Sequence, residues 1–146
     1  MVKKILVPLD GSTLAEAILP QVMELSKSLG AEVLILRVAL AHVFPGVDRT
    51  EEEVRVIHEA EAYGSALAGR LAEEGIRVRT AVRYGKAAAE ILGHITVNEV
   101  DLVTMSTHGR SGLSRLVMGS VAEEVVRHAA VPVLLVRASG KSPEHQ

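Results

Sequence analysis

Short apolar runs that alternate with segments of helical period constrain this chain more than any other feature. The runs are residues 3–8 (K-K-I-L-V-P), 32–38 (E-V-L-I-L-R-V), 101–105 (D-L-V-T-M) and 131–136 (V-P-V-L-L-V). Each is too short for a helix and unbroken in hydrophobicity, which suits a strand buried on both faces, as in a parallel sheet. A fifth run, residues 76–84 (I-R-V-R-T-A-V-R-Y), alternates instead. Ile76, Val78, Thr80 and Val82 face one way, and Arg77, Arg79 and Arg83 the other. That pattern predicts an edge strand guarded by charge.

The intervening segments read as four helices. After the turn Asp10-Gly11-Ser12, Leu14, Ala17, Ile18, Gln21, Val22 and Leu25 recur at helical spacing until Gly30. Thr13 with Glu16 has capping-box spacing, with Ser12 as the other candidate cap. Pro20 falls inside this helix and predicts a kink or a lost hydrogen bond. Residues 39–49, with Pro45, Gly46 and Asp48, form the least regular connection. Thr50 and Glu53 repeat the capping-box spacing, and Val54, Ile57, Ala60, Gly64, Leu67 and Leu71 give one apolar face down to Gly75. Gly85 opens a helix carrying Ala88, Ile91, Leu92 and Ile95. Ser120 and Glu123 predict a third capping box, on a helix with Val121, Val125 and Val126. Five strands alternating with four helices imply an α/β fold, an open, parallel, doubly wound sheet. Residues 1–137 are expected to form one domain, and the patternless residues 138–146 a disordered tail.

Composition narrows the chemistry. The chain of 146 residues is 48% hydrophobic but 2% aromatic, so its core must be aliphatic. The rings are Phe44, Tyr63 and Tyr84, too few for a module that stacks bases along a strand, and the formal net charge of -2 gives no global attraction to nucleic acid or to a membrane. No nucleic-acid or membrane partner is therefore expected. Cysteine is absent, which removes disulfide and thiolate chemistry and fits a cytoplasmic protein. No apolar run approaches the ~18 residues of a membrane span. His42, His58, His94, His108, His128 and His145 do not pair at metal-ligand spacing.

In open α/β sheets, ligands bind beyond the carboxyl ends of strands where the strand order reverses. Three segments lie at such ends: Pro8 to Ser12, Val38 onward and Met105 onward. The last is the richest: M-S-T-H-G-R-S-G-L-S-R-L-V-M-G-S, residues 105–120. A polar, glycine-bearing loop between a strand and a helix N-terminus can converge backbone N–H groups on an anion. Gly109 lets the backbone approach a phosphate. Gly119 and Ser120 are expected to present N–H groups at the positive end of a helix dipole, with Arg110 and Arg115 adding charge. The Ser120 hydroxyl can reach a phosphate oxygen, in competition with its capping role.

Taken together, these segments resemble the universal stress protein family in its nucleotide-binding branch. The resemblance spans nearly the whole chain. It rests on residues 5–12 (I-L-V-P-L-D-G-S), 85–91 (G-K-A-A-A-E-I), 101–103 leading into 106–112 (S-T-H-G-R-S-G), 119–121 (G-S-V) and 131–136. The family's ATP motif is glycine, two residues, glycine, nine residues, glycine, then serine or threonine. Gly109, Gly119 and Ser120 match it. Ser106 stands where the pattern has its first glycine, and a backbone of positive φ there would be strained.

The resemblance implies a flavodoxin-like, adenine nucleotide alpha hydrolase-like sheet of order 3-2-1-4-5 in three α/β/α layers. It implies ATP, with Mg, bordered by Pro8, Leu9, Asp10, Val38, Met105, Ser106, His108, Gly109, Arg110, Ser111, Gly119, Ser120 and Val121. The backbone near Val38 would read the adenine edge. Asp10 would bond the ribose or the adenine, or help hold the magnesium ion. It also implies a stress-response or regulatory role.

No strong general base is evident in these segments, since His108 and Asp10 lack a visible orienting partner. Binding with slow or no hydrolysis is therefore expected. The alternatives are a slow ATPase or nucleotide transferase of the same fold, or a partner-binding stress protein that holds no nucleotide. The fifth strand carries no charge at 133–136, so a homodimer through residues 131–136 is expected.

Overall fold

The computed structural model describes residues 1–41, 43–107 and 118–137. The expectations for His108, Gly109, Arg110, Ser111 and Arg115, and for the tail 138–146, lie outside the described residues.

The strands are β1 (Lys4–Leu9), β2 (Glu32–Ala39), β3 (Val78–Tyr84), β4 (Leu102–Ser106) and β5 (Val133–Val136), and the helices are α1 (Leu19–Leu29), α2 (Arg49–Glu73), α3 (Ala87–Val97) and α4 (Ser120–His128). The sheet is parallel throughout, in the order β3-β2-β1-β4-β5. This is the doubly wound sheet expected from the β-α alternation, in the order that the resemblance implied.

Continuous apolar runs become central strands because both of their faces are covered. Ile5, Val7 and Leu9 of β1 enter a core with Val33 and Ile35 of β2, Val22 of α1 and Leu67 and Leu71 of α2. Leu6, Leu34, Leu36, Val103 and Met105 enter the opposite core with Ile91 and Ile95 of α3 and Ala122 and Val125 of α4. The sheet is thus sandwiched between the α1/α2 pair and the α3/α4 pair. Ile5, Leu6 and Val7 have no exposed surface, and burial of each such side chain contributes about 1.5–3 kcal/mol.

The edge strand β3 keeps its arginines outside. The Arg77 guanidinium donates to the Gly30 carbonyl at 2.7 Å, and Arg79 pairs with Glu32 at 2.9 Å. These contacts tie the edge to the neighbouring β2 end as well as charging it.

The helix starts differ from their sequence signals. A 3-10 turn, Ala15–Ile18, precedes α1, and Pro20 sits in the first turn of α1. There its missing N–H has no helical partner to lose, so no interior kink follows. Ser12, not Thr13, caps the turn: its Oγ accepts from the Ala15 amide at 3.1 Å. In α2 the cap is Asp48, whose carboxylate accepts from the Glu51 amide at 3.0 Å. An aspartate one turn upstream of Glu51 outcompetes Thr50, because the connection ends in extended backbone at Asp48.

Candidate functional site

The strand order reverses between β2 and β4 on either side of β1, and the carboxyl ends of these strands open a cavity of about 270 Å³. Its geometry follows from three local structures. At the end of β1, Gly11 takes a φ of 88°, which a residue with a Cβ adopts rarely. That turn lets the Ser12 amide donate to Asp10 Oδ1 at 2.9 Å. It fixes the Asp10 carboxylate at the cavity and sets Ala15 of the 3-10 turn against the wall.

At the end of β4, the Thr107 amide donates to the Val136 carbonyl at 2.9 Å, and the Gly119 amide donates to the Thr107 carbonyl at 2.7 Å. The second bond clamps the start of α4 onto the strand end. It also corrects one expectation, because the Gly119 N–H is already engaged and is not offered to a ligand. Gly119 is the N-cap of α4, with no side-chain cap hydrogen bond. The capping box of Ser120 with Glu123 does not form: Ser120 is already inside the helix, and Glu123 pairs with Arg127 at 2.8 Å. The positive end of α4 therefore meets the cavity without a side-chain carboxylate or hydroxyl at its N-cap.

The third structure is the wall. Leu36 and Val38 of β2, Ile91 and Ala87 of α3, Met105 of β4, and Val121 and Ala122 of α4 form its apolar part. Pro8, Leu9, Asp10, Val38, Met105, Ser106, Gly119, Ser120 and Val121 are brought together around this one cavity. Sequence reading passed over Leu36, Ala87, Ile91, Thr107 and Ala122, which also line it. Their signal was available only as core periodicity, and nothing in the pattern separates a core face from a cavity wall.

Ser106 ends β4 in strand conformation, paired with Val136. Among the described residues the only non-glycine with positive φ is Glu99. Serine is thus unstrained where the motif has glycine. Its Oγ is buried and has no hydrogen-bond partner among the described residues.

A polar cluster that sequence reading missed lies on the α1/α2 side of the sheet. Arg37 is 8% exposed, in the strand β2. Its guanidinium lies 4.8 Å from the centre of the Tyr63 ring of α2. The Tyr63 hydroxyl donates to Glu16 Oε2 of the 3-10 turn at 2.5 Å. Burial, then the Glu16 carboxylate, pushes the Tyr63 phenol well above its ordinary range, against the opposing effect of Arg37. The one signal in the sequence was a charge in the middle of E-V-L-I-L-R-V.

Among the described residues no group of three or more His, Cys, Asp or Glu is placed to hold a metal ion, and no helix is long and apolar enough to cross a membrane. At the cavity, Asp10 is the carboxylate that could contribute to a cation carried by a ligand.

A parallel sheet wound on both faces, with an apolar cavity at its switch point, a carboxylate on one side and an uncapped helix N-terminus on the other, places the chain in the doubly wound α/β class. The chain belongs to the universal stress protein family, whose family model, Usp, it matches over residues 1–137. It is 34% identical to universal stress protein MJ0531 of Methanocaldococcus jannaschii, covering 95% of this chain and 84% of that one. Its fold is similar to the solved structure of MJ0577 from the same organism, with TM-score 0.84, 29% identity, and 97% and 99% of the two chains covered. It is also similar in fold to a universal stress protein family protein from Arabidopsis thaliana solved with AMP bound. There the TM-score is 0.68 at 16% identity, covering 94% of this chain and 93% of that one.

Proposed function

We propose that this protein binds an adenine nucleotide, ATP with Mg, in the switch-point cavity, and that it does so as a dimeric regulatory module of the stress response in the cytoplasm. The observation that carries the proposal is the polarity of the cavity. One end is the uncapped N-terminus of α4 at Gly119 and Ser120, and the wall opposite is aliphatic. A ligand that joins an apolar group to an anion fits both, as a nucleotide does. The helix end favours the phosphates. The Asp10 carboxylate accepts hydrogen bonds and repels phosphate, so the group beside it is a donor, a ribose hydroxyl or the adenine amine. The Arabidopsis relative solved with AMP supports the same ligand class.

Asp10 is the one ionisable side chain among the described lining residues, and it already accepts the Ser12 amide. Among the described lining residues Asp10 is not joined by a second acid or base of the kind efficient hydrolysis uses. The protein is therefore proposed to hold ATP with slow or no turnover. His108, Gly109, Arg110 and Ser111 are proposed to contact the nucleotide, as the family motif implies.

The test is direct. Denaturing the purified protein should release adenine nucleotide at near one per chain, and ATP should bind the emptied protein on titration. Gly119→Val, which puts a branched side chain at the α4 N-cap, should abolish both while leaving the fold intact by circular dichroism. An empty protein that also ignores added ATP would sink the proposal.

A further inference from the structure

The Asp10 carboxylate stands at the head of a run of hydrogen bonds that ends in another layer of the molecule. The Ser12 amide donates to Asp10 Oδ1 at 2.9 Å. Ser12 then holds the 3-10 turn with both of its oxygens. Its Oγ accepts from the Ala15 amide at 3.1 Å, and its carbonyl accepts from the Glu16 amide at 3.2 Å. The Glu16 side chain leaves the turn and meets α2, where its Oε2 accepts from the Tyr63 hydroxyl at 2.5 Å. That distance is typical of a hydroxyl bonded to an ionised carboxylate, a stronger bond than one between neutral groups. The last link joins residues 47 positions apart, whereas the others are local. Asp10 and Ala15 line the cavity, and Glu16 and Tyr63 stand outside its lining.

Tyr63 is built to serve as an anchor. Its ring packs against the core on the α1/α2 side of the sheet and lies 4.8 Å from the Arg37 guanidinium. The turn it meets is short, only Ala15–Ile18, and 3-10 hydrogen bonds have poor geometry. Ala15 and Ile18 are buried, but apolar burial is non-directional. The bond from Tyr63 to Glu16 supplies direction.

We infer that Tyr63 is a positioning residue for the cavity: its hydroxyl, through Glu16, anchors the 3-10 turn to α2 and so fixes the Ser12 amide against the Asp10 carboxylate. This rests on the nucleotide proposal only for what Asp10 meets.

Two measurements test it. Tyr63→Phe keeps the ring beside Arg37 and removes the hydroxyl alone. In ligand-free hydrogen exchange followed by NMR, it should speed exchange of the Ser12, Ala15 and Glu16 amides about fivefold relative to the amides of β1. Glu16→Ala should do the same, and Glu16→Gln, which keeps an acceptor oxygen, should restore most of the protection. In ATP titration, Tyr63→Phe should weaken binding about fivefold in the wild-type background. In an Asp10→Asn background, which keeps an oxygen for the Ser12 amide, the loss should fall below about twofold. Unchanged exchange at the three amides, or no recovery with Glu16→Gln, would overturn the inference. Faster exchange with unchanged affinity would overturn it too, and so would an equal loss of affinity in both backgrounds, since the effect would then bypass Asp10. If wild type binds no ATP, the nucleotide proposal fails by that result, and hydrogen exchange alone decides whether Tyr63 anchors the turn.

Discussion

Ser106 carries a hydroxyl that nothing in the described protein uses. It is 7% exposed, and its Oγ lacks a partner among the described residues. An unpaired buried hydroxyl costs about 1–3 kcal/mol. Ser106→Ala should therefore leave stability unchanged or raise it by up to about 1 kcal/mol in urea unfolding. A loss larger than that would mean the hydroxyl is bonded. Glycines divide just as sharply by backbone. Gly85 has φ 144°, and a Cβ there would stand 3.2 Å from Glu90 Oε2. Gly93 lies on the exposed side of α3 with nothing within 4 Å of a built Cβ. Gly85→Ala should cost about 1–3 kcal/mol, from strain in a conformation that suits glycine. Gly93→Ala should gain about 0.5–1 kcal/mol from helix propensity. Opposite signs for the two would confirm that φ decides, and a shared sign would refute it.

At the scale of elements, α2 and α3 show how local chemistry sets boundaries and pH response. The first turns of α2 project past the core, since Val54 is exposed and burial begins at Ala60. That end depends on its cap, and Asp48→Ala should cost about 1 kcal/mol. His94 of α3 is buried against the sheet, and its Nδ1 has no partner among the described residues. Burial first, then the Arg83 and Arg79 charges of β3, hold its imidazole below the ordinary value of 6.5. The unfolded chain then binds a proton that the folded chain refuses. The stabilisation this group contributes is full above pH 6.5 and falls as pH drops below it. The slope can reach about 1.4 kcal/mol per pH unit. His94→Gln should flatten that part of the acid limb in urea unfolding between about pH 7 and pH 5. An unchanged limb would remove His94 as its source.

For the whole molecule, the two sheet edges differ in kind. β3 is guarded by Arg77, Arg79 and Arg83, whereas β5 presents Val133, Leu134, Leu135 and Val136, each half-buried. An apolar edge strand is a template for a second copy. The proposed homodimer pairs β5 with its two-fold mate. Leu134 belongs to neither core cluster, so Leu134→Glu should split the dimer in sedimentation experiments and leave the circular dichroism of the monomer intact. A wild-type monomer at micromolar concentration, or a dimer that survives Leu134→Glu, would exclude this interface.

By itself the sequence determined the layers and the end of the sheet at which the cavity opens. Uninterrupted runs such as I-L-V and V-L-I-L can be dry only between two helical layers, and a strand flanked by turns and helices must be parallel to its neighbours. The ends of β1 and β4 were legible because Asp10-Gly11 and Gly119-Ser120 interrupt apolar runs with residues of special backbone or charge. Helix starts were less legible, because Ser12, Thr13, Asp48 and Thr50 all have capping chemistry and only the path of the preceding chain chooses among them. What tertiary structure alone decided was the company each side chain keeps. Leu36 and Ile91 are core by pattern and cavity wall by position. Arg37 reads as a stray charge in a strand. It becomes the partner of the Tyr63 ring only when α2, which carries that ring 26 positions further along the chain, folds onto the same face. Periodicity reports the face a residue takes, and contact across the sheet reports what that face meets.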